Sequence, residues 1–334
     1  MTRLQFGFFF WPYTPEYTIR MARLAEEFNY HLVGIADTPG NAMDPWVSLT
    51  LVASHTTRAR VPMCVTNVVT RHPAVTAAAV ASVDLVSAGR AILGVGAGHS
   101  GVINLGGAPA SPETLREAVA FMRALLNGER ASYGPATIHL PWLRRRVPVY
   151  VAASGPAALR VAGAVADGAF ANYGLQSELV AQAGGLIRNG AEGAGRNGDD
   201  VEVWYVACLD CAEKRDVALE KLGSILGFVA AYILGRSPER RGVPPELLPA
   251  IRELCATYST RRGEMDPGLV RRLGLFDYLR GRLAVAGTPD DCIEQVRAAR
   301  QAGVRRLMFT VSLAADPARA VELFGRHVLP ALPA

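Results

Sequence analysis

The sequence is poor in cysteine, with five in 334 residues. Cys208 and Cys211 stand three positions apart, but no second pair has the spacing of metal ligands, so a structural metal site is not expected. Disulfides are not expected either. We interpret the five cysteines as reduced thiols, most of them buried.

The sequence also lacks long apolar runs. No stretch approaches the roughly 18 consecutive apolar residues that a membrane-spanning helix needs. The N-terminal segment MTRLQFGFFFWP has one arginine, a very short apolar run and no small-residue cleavage site, so it is interpreted as a first strand and not as a signal peptide. These features predict a soluble cytoplasmic protein that has no membrane partner.

An excess of charge of one sign is nearly absent as well. The chain has 35 basic and 30 acidic side chains, which gives a formal net charge of +5. The densest basic runs, at 144–146, 240–241 and 271–272, are far apart and lie in no recognisable nucleic-acid-binding module, so a nucleic-acid partner is not expected. A mildly basic field still favours a small anionic ligand.

What the sequence does contain is a regular alternation of apolar runs and helical patterns. Half of the residues are apolar and 7% are aromatic, which is typical of α/β layers. Strands are predicted at 4–10, 31–36, 61–66, 91–95, 148–152, 168–171, 201–209, 283–286 and 304–311. Near-continuous apolar strands separated by helices predict a parallel sheet that is covered on both faces.

One segment interrupts this alternation. Residues 213–281 contain three helical patterns and no convincing strand, so we interpret them as a helical insertion and not as a second domain. Eight or nine strands, each followed by a helix, favour a (β/α)8 TIM barrel over an open doubly wound sheet. The sequence therefore predicts a single α/β domain over residues 1–334 with an insertion at about 213–281.

In such a barrel the functional residues follow the strands. The turn at 153–156 consists of small residues and opens a helix, so its free backbone N–H groups suit a phosphate. Gly94, Gly96 and Gly98 do not complete the dinucleotide pattern G-x-G-x-x-G, and no acidic residue follows on a second strand. A nicotinamide site is therefore not expected, and these glycines fit a turn that lets a planar ligand lie against the backbone.

Seven segments carry a family resemblance: FGFFFWP, VTNVVTRHPAVTAAAVASVD, GRAILGVGAGHS, PETLREAVAFMRALLNGE, VPVYVAASGPAALRVAGAVADGAFANY, GRSPERRGV and AGTPDDCIEQVRAARQAGV. In this order, over nearly the whole chain, they resemble the bacterial-luciferase-like superfamily of flavin and deazaflavin oxidoreductases, and within it the methylenetetrahydromethanopterin reductases. The resemblance implies a (β/α)8 barrel with an insertion region, and it implies a homodimer.

The same resemblance implies coenzyme F420 as the cofactor, with FMN as the alternative. The family has a non-prolyl cis peptide in a bulge of the third strand, which falls here at Cys64–Val65 and supports the back of the deazaflavin ring. The phosphate of the cofactor tail is expected at Ala153, Ser154, Gly155 and Pro156. The other residues that are expected near the cofactor are Asp37, Thr66, Asn67, Gly96, Ala97, Gly98 and Asn172.

Three positions depart from the pterin reductases. Those enzymes carry an acidic residue where this chain has Phe9, a histidine where it has Thr38, and an acidic residue where it has His99. All three positions lie near the reacting centre of the family. The resemblance therefore implies the cofactor, whose contacts are largely backbone and small residues, but not a methanopterin substrate.

His99 is the candidate for proton transfer, because an unperturbed pKa of about 6.5 suits general-acid catalysis near neutrality. An ordinary loop histidine is the alternative. Thr38 is the second catalytic candidate, since its hydroxyl can orient a substrate. The aromatic residues that could wall an apolar or planar substrate are Phe9, Trp11 and Trp46, and Tyr13, like Thr38, could orient the substrate.

These observations predict a reductase that transfers a hydride from the reduced deazaflavin to a C=N or C=C bond of a small metabolite. The alternative is an FMN-dependent monooxygenase, which would need a flavin reductase as its partner. A third possibility is a non-catalytic binding protein on the same barrel, because a fold does not imply a function.

Overall fold

The computed structural model describes residues 4–332. Its strands are β1 Gln5–Phe10, β2 Leu32–Ile35, β3 Val61–Asn67, β4 Ala91–Gly96, β5 Ala131–Tyr133, β6 Ala136–Ile138, β7 Val149–Ala153, β8 Gly168–Ala171, β9 Glu202–Cys211, β10 Ala284–Gly287 and β11 Arg306–Thr310. Its α-helices are α1 Pro15–Glu27, α2 Pro45–Ser54, α3 Pro73–Val86, α4 Ser100–Ile103, α5 Pro112–Leu126, α6 Pro156–Val165, α7 Ser177–Gly193, α8 Arg215–Glu220, α9 Leu222–Leu234, α10 Leu248–Thr257, α11 Leu269–Arg272, α12 Phe276–Leu283, α13 Pro289–Gln301 and α14 Pro317–Leu323.

Nine of these strands form one sheet in the order β10-β9-β11-β1-β2-β3-β4-β7-β8, and β9 also pairs with β8. The pairs whose register is defined within this sheet run parallel. Strands β5 and β6 form a separate antiparallel pair. This arrangement is that of a (β/α)8 barrel and confirms the predicted fold class. Residues 213–281, all of them described, contain helices and turns but no strand, as predicted.

The chain forms two compact units. The first, here called the site unit, comprises Phe9–Ala171 and Ala183–Trp204. The second, here called the helical unit, is the rest of the described chain. Every residue that the sequence analysis places in the site belongs to the site unit except Asn172, which directly follows β8 and lies in the helical unit.

Several helices of the site unit begin in the same way. A side chain accepts a hydrogen bond from a backbone N–H two or three residues on, and a proline follows it in the first turn. The capping residues are Thr14, Asp44, His72 and Ser111. Each cap defines where the loop after a strand ends, so it helps to position the loops that carry the site.

Strand β3 is irregular at its centre. Its register against β4 shifts between Met63 and Thr66, and the Cys64–Val65 peptide bond within this bulge is cis, as the resemblance implied. Cys64 is buried, and burial raises the pKa of its thiol well above the usual range, so the side chain is a neutral thiol. Four of the five cysteines are buried and Cys255 is partly buried, which confirms the prediction of mostly buried free thiols.

The helical unit has an apolar core of its own. Leu222 and Ile233 of α9 pack in it together with Leu254 of α10 and Leu279 of α12. The segment Arg215–Leu234 is long and apolar enough by composition to cross a membrane, with a mean hydropathy of 1.7, but 56% of it is buried inside the structure. A helix in the core of a folded unit meets the same criterion, so this segment is weak evidence for a membrane span.

Arg282 at the end of α12 is fully buried in the helical unit. Its Nη2 donates to the backbone oxygens of Tyr173 at 3.1 Å and of Arg241 at 2.6 Å, and its Nη1 donates to the Tyr278 hydroxyl at 2.7 Å. Within residues 4–332 no carboxylate pairs with this guanidinium. The side chain therefore connects the loop after β8 to the bend near residue 241.

Candidate active site

Asp37 and Thr66 meet where the neighbouring strands β2 and β3 end. The Thr66 hydroxyl donates a hydrogen bond to Asp37 Oδ2 at 2.7 Å. Burial raises the pKa of the Asp37 carboxyl, while the Thr66 hydrogen bond and the Arg71 guanidinium oppose that rise. Because Thr66 occupies only one carboxylate oxygen, Asp37 can accept a hydrogen bond from a ligand through the other.

The side-chain amide of Asn67 has a fixed orientation. Its Oδ1 accepts hydrogen bonds from Val69 N at 2.9 Å, from Thr70 N at 2.8 Å and from the Thr70 hydroxyl at 3.1 Å. These bonds close a turn directly after β3 and leave Nδ2 as the outward end of the amide. Nδ2 has no acceptor in the described part of the chain, so Asn67 offers an oriented donor at the end of its strand.

A small apolar surface, here called the floor, consists of Val65, Gly96 and Ala152. Val65 is the only residue of β3 that is not fully buried, and Ala152 is the corresponding exception in β7. A Cβ placed on Gly96 would lie 3.4 Å from Val65 Cγ2 and 3.6 Å from Ala152 Cβ, which are ordinary contact distances. The absence of a side chain at the buried Gly96 leaves a shallow cradle between Val65 and Ala152, whose partly exposed side chains a planar group can contact.

The loop after β4 is shaped by Gly98. Its φ is +102°, which favours glycine, and a Cβ there would come within 2.5 Å of Val102 Cγ2. His99 follows and is partly buried. Burial lowers its pKa to about 4, so the imidazole is neutral near pH 7. The pKa of about 6.5 that made His99 a candidate general acid is therefore not retained, although the neutral ring can still donate or accept one hydrogen bond.

Thr38 is held in a buried hydrogen-bond chain and is only 2% exposed. Asn41 Nδ2 donates to the Thr38 hydroxyl at 3.2 Å, and that hydroxyl donates to Ser100 Oγ at 3.0 Å. The Thr38 proton is thus already used, which favours a positioning role for this residue over the catalytic role expected from the sequence. The chain ends on the Ser100 hydroxyl, a donor that our sequence analysis did not single out although it stands next to His99.

Helix α6 begins without a capping side chain. Its N-cap is Gly155, and Pro156 follows in the first turn. The amides of Ala157 and Ala158 find no acceptor among residues 4–332, whereas in each of the four capped helices the cap side chain binds at least one first-turn amide. Free N–H groups at the positive end of a ten-residue helix fit a phosphate group, as the turn at 153–156 suggested.

The predicted aromatic wall is only partly accessible. Phe9 and Tyr13 are partly buried, whereas Trp11 is 3% exposed and belongs to the core. Tyr13 stacks on Tyr17 with ring centroids 5.5 Å apart. The Trp46 indole N–H is buried and has no acceptor in the described residues, so it is a further polar group at the start of α2 that a ligand could satisfy.

Comparison with known proteins gives a consistent result. A family model described as luciferase-like monooxygenase matches residues 7–306. The 5,10-methylenetetrahydromethanopterin reductase of Methanolobus tindarius is 30% identical over 98% of this chain and 100% of its own. An F420-dependent glucose-6-phosphate dehydrogenase of Microbacterium testaceum is 28% identical over 78% of this chain and 74% of its own. The structure of the coenzyme F420-dependent tetrahydromethanopterin reductase of Methanopyrus kandleri matches with a TM-score of 0.78 and 25% identity, over 99% of this chain and 100% of that chain.

Proposed function

Because the chain belongs to the luciferase-like monooxygenase family, we propose that it is a coenzyme F420-dependent oxidoreductase that reduces a C=N or C=C bond of a small metabolite other than a methanopterin. The observation that carries the proposal is the floor of Val65, Gly96 and Ala152 at the ends of β3, β4 and β7. Two of the similar proteins depend on F420 and differ in substrate. These similar proteins therefore support F420 as the cofactor but do not indicate one particular substrate.

The residues of the site fit a planar cofactor with an anionic tail. The floor would support the ring, Ala97 and Gly98 would line its side, and Asn67 Nδ2 would donate to a ring carbonyl or nitrogen. The uncapped start of α6 at 153–156 would take the tail phosphate. When bound, the reduced deazaflavin supplies a hydride, and the protein supplies orientation and exclusion of water.

Apart from Asp37, which is expected near the cofactor, the groups left at the reacting centre carry no charge, which favours a substrate without a strong positive charge. Phe9 brings no charge, and the buried Thr38 hydroxyl is already engaged. His99 is neutral because burial lowers its pKa to about 4. The proton that completes the reduction then comes from a water molecule, which the neutral His99 imidazole and the Ser100 hydroxyl would hold by hydrogen bonds. Loss of the acidic groups of the pterin reductases is the reason to look outside the methanopterins.

We also propose a homodimer formed through α2 and α3. Four apolar side chains on these two helices are strongly exposed: Val47 at 61%, Val75 at 54%, Val86 at 49% and Leu85 at 45%. A concentration of exposed apolar residues on two adjacent helices marks an interaction surface. A second copy of the chain is the partner that the family resemblance implies.

The test is equilibrium binding of the purified protein to F420 and, in parallel, to FMN. Binding of F420 alone would support the proposal, and imines and enoyl compounds would then be screened for oxidation of the reduced cofactor. Binding of FMN alone would overturn the proposal in favour of an FMN-dependent monooxygenase, to be examined by oxygen consumption with a flavin reductase. If the protein reduced methylenetetrahydropterins and no other compound, the proposed substrate class would be wrong and the proposed cofactor would stand.

A further inference from the structure

A polar cavity lies in the site unit, away from the floor. It has a volume of about 610 Å³, and four arginines line it: Arg60, Arg123, Arg146 and Arg196. Arg60 directly precedes β3, and Asp167, another lining residue, directly precedes β8. The cavity is therefore at the amino ends of these strands, opposite to the carboxyl ends that carry the candidate active site. We call it the arginine cleft.

The positive charge of one of the four arginines is neutralised by a neighbouring carboxylate. Arg60 Nη1 pairs with Glu202 at 2.9 Å, and its Nη2 donates to the Tyr150 hydroxyl at 2.9 Å. The indole N–H of Trp204 holds the same Glu202 oxygen at 2.6 Å. The charges of Arg60 and Glu202 cancel, so this pair contributes no net charge to the cleft.

Two arginines share a single carboxylate. Arg123 Nε donates to Asp167 Oδ1 at 2.7 Å, and Arg146 Nη2 donates to the same oxygen. The other oxygen of Asp167 accepts from Val149 N at 2.9 Å, so both carboxylate oxygens already accept hydrogen bonds. In the described chain Nη1 and Nη2 of Arg123 and Nη1 of Arg146 have no acceptor, which leaves one positive charge in excess and several unused donors.

The fourth arginine has no carboxylate partner within residues 4–332. Arg196 donates to the backbone oxygens of Gly163 at 2.6 Å and of Ala166 at 2.7 Å. Burial lowers the pKa of its guanidinium, and the neighbouring Arg123 and Arg146 lower it further, against Asp167 and Asp200. The remaining acid of the cleft, Asp200, is exposed. The four arginines of the cleft face three carboxylates, those of Asp167, Asp200 and Glu202, so one positive charge is in excess.

We propose that the arginine cleft binds an oxyanion of the phosphate type. The excess of positive charge in the cleft favours a bound anion. The unused N–H groups of Arg123 and Arg146 can form the paired hydrogen bonds by which guanidinium groups recognise phosphate. The bound ion would also relieve the mutual repulsion of Arg123, Arg146 and Arg196.

The test is a calorimetric titration of the purified full chain with inorganic phosphate. The ionic strength is kept constant with chloride. Wild type is expected to show one saturable site that persists when F420 is saturating. A phosphate seated at the start of α6 would instead be displaced by the cofactor, so loss of binding under F420 would overturn the proposal. If F420 does not bind at all, Gly155→Asp, which adds a carboxylate at that helix start, should leave the phosphate affinity unchanged.

Charge variants with opposite expected effects sharpen the test. Arg146→Gln removes one excess charge and one donor and is expected to weaken phosphate binding roughly tenfold or more. Asp200→Asn removes the competing acid and is expected to strengthen it several-fold. Arg116→Gln, an exposed arginine on the same helix as Arg123 but outside the cleft, is the matched control and is expected to bind like wild type. Equal affinities for Arg146→Gln and Arg116→Gln, or no saturable binding by wild type, would overturn the proposal.

Discussion

The Thr38 hydroxyl donates a hydrogen bond to the Ser100 hydroxyl oxygen at 3.0 Å, across 62 positions of the sequence. The two residues belong to different loops, one after β2 and one at the start of α4. Both are buried, so water does not compete for the bond. This contact therefore fixes the loop that carries His99 relative to the loop that carries Asp37.

Removal of the Thr38 hydroxyl tests this positioning role. Thr38→Val keeps the shape but leaves Asn41 Nδ2 and Ser100 Oγ without their partner, so the free energy of unfolding is expected to fall by about 1–3 kcal/mol. Cofactor affinity should stay close to that of wild type while kcat falls, because the reacting groups and not the floor are displaced. Thr38→Ser retains the hydroxyl and should restore kcat. A Thr38→Val enzyme with wild-type kcat would show that the bond does not position the site.

A methyl group on the floor should separate cofactor binding from folding. A Cβ on Gly96 meets its neighbours at 3.4 Å or more, so Gly96→Ala is expected to fold normally but to weaken F420 binding roughly tenfold by occupying the cradle. Gly94→Ala is the matched comparison. Its Cβ would lie 2.1 Å from the Met63 backbone oxygen, so the free energy of unfolding should fall by about 1–3 kcal/mol. Fluorescence titration and urea unfolding measure the two effects, and unchanged F420 affinity in Gly96→Ala would argue against the floor as the ring site.

The fold was predictable because its signals are local. Apolar runs of four to ten residues mark the strands, and the small-residue turn after β7 marks the start of α6. The environment of individual side chains was not predictable. The neutral state of His99 depends on burial by residues distant in sequence. The arginine cleft brings Arg60 beside Glu202, 142 positions away, and no spacing rule describes that contact.

The lowered pKa of His99 predicts a pH dependence of stability. The folded-state pKa of about 4 lies below the unfolded value of about 6.5, so the unfolded chain binds more protons within this window. The free energy of unfolding contributed by this group is therefore fully present above about pH 6.5 and is lost as the pH falls toward 4. Urea unfolding between pH 4.5 and 7.5 should show a steeper loss for wild type than for His99→Asn, which cannot be protonated. Parallel curves would place the His99 pKa near its usual value.

The exposed apolar side chains of α2 and α3 predict a dimer that a single charge can dissociate. Leu85→Asp places a carboxylate on the proposed interface and is expected to convert the dimer to a monomer in light scattering. Val217→Asp is the matched control, because Val217 is equally exposed at 45% but lies on α8 in the helical unit. A monomeric wild type, or dissociation by Val217→Asp alone, would exclude α2 and α3 as the interface.

Replacement of the buried Arg282 is expected to lower the stability of the helical unit strongly. Arg282→Met retains much of the apolar volume but leaves two backbone oxygens and the Tyr278 hydroxyl without their donor, at about 1–3 kcal/mol for each buried group left unpaired. The free energy of unfolding is therefore expected to fall by about 3 kcal/mol or more. Arg280→Met on the same helix loses a pair with the strongly exposed Asp277 and a longer-range attraction to Asp291, and it should cost less than about 1 kcal/mol. If urea unfolding gave the two variants equal stability, the apolar core around α9 would hold the bend near residue 241 without help from the buried guanidinium.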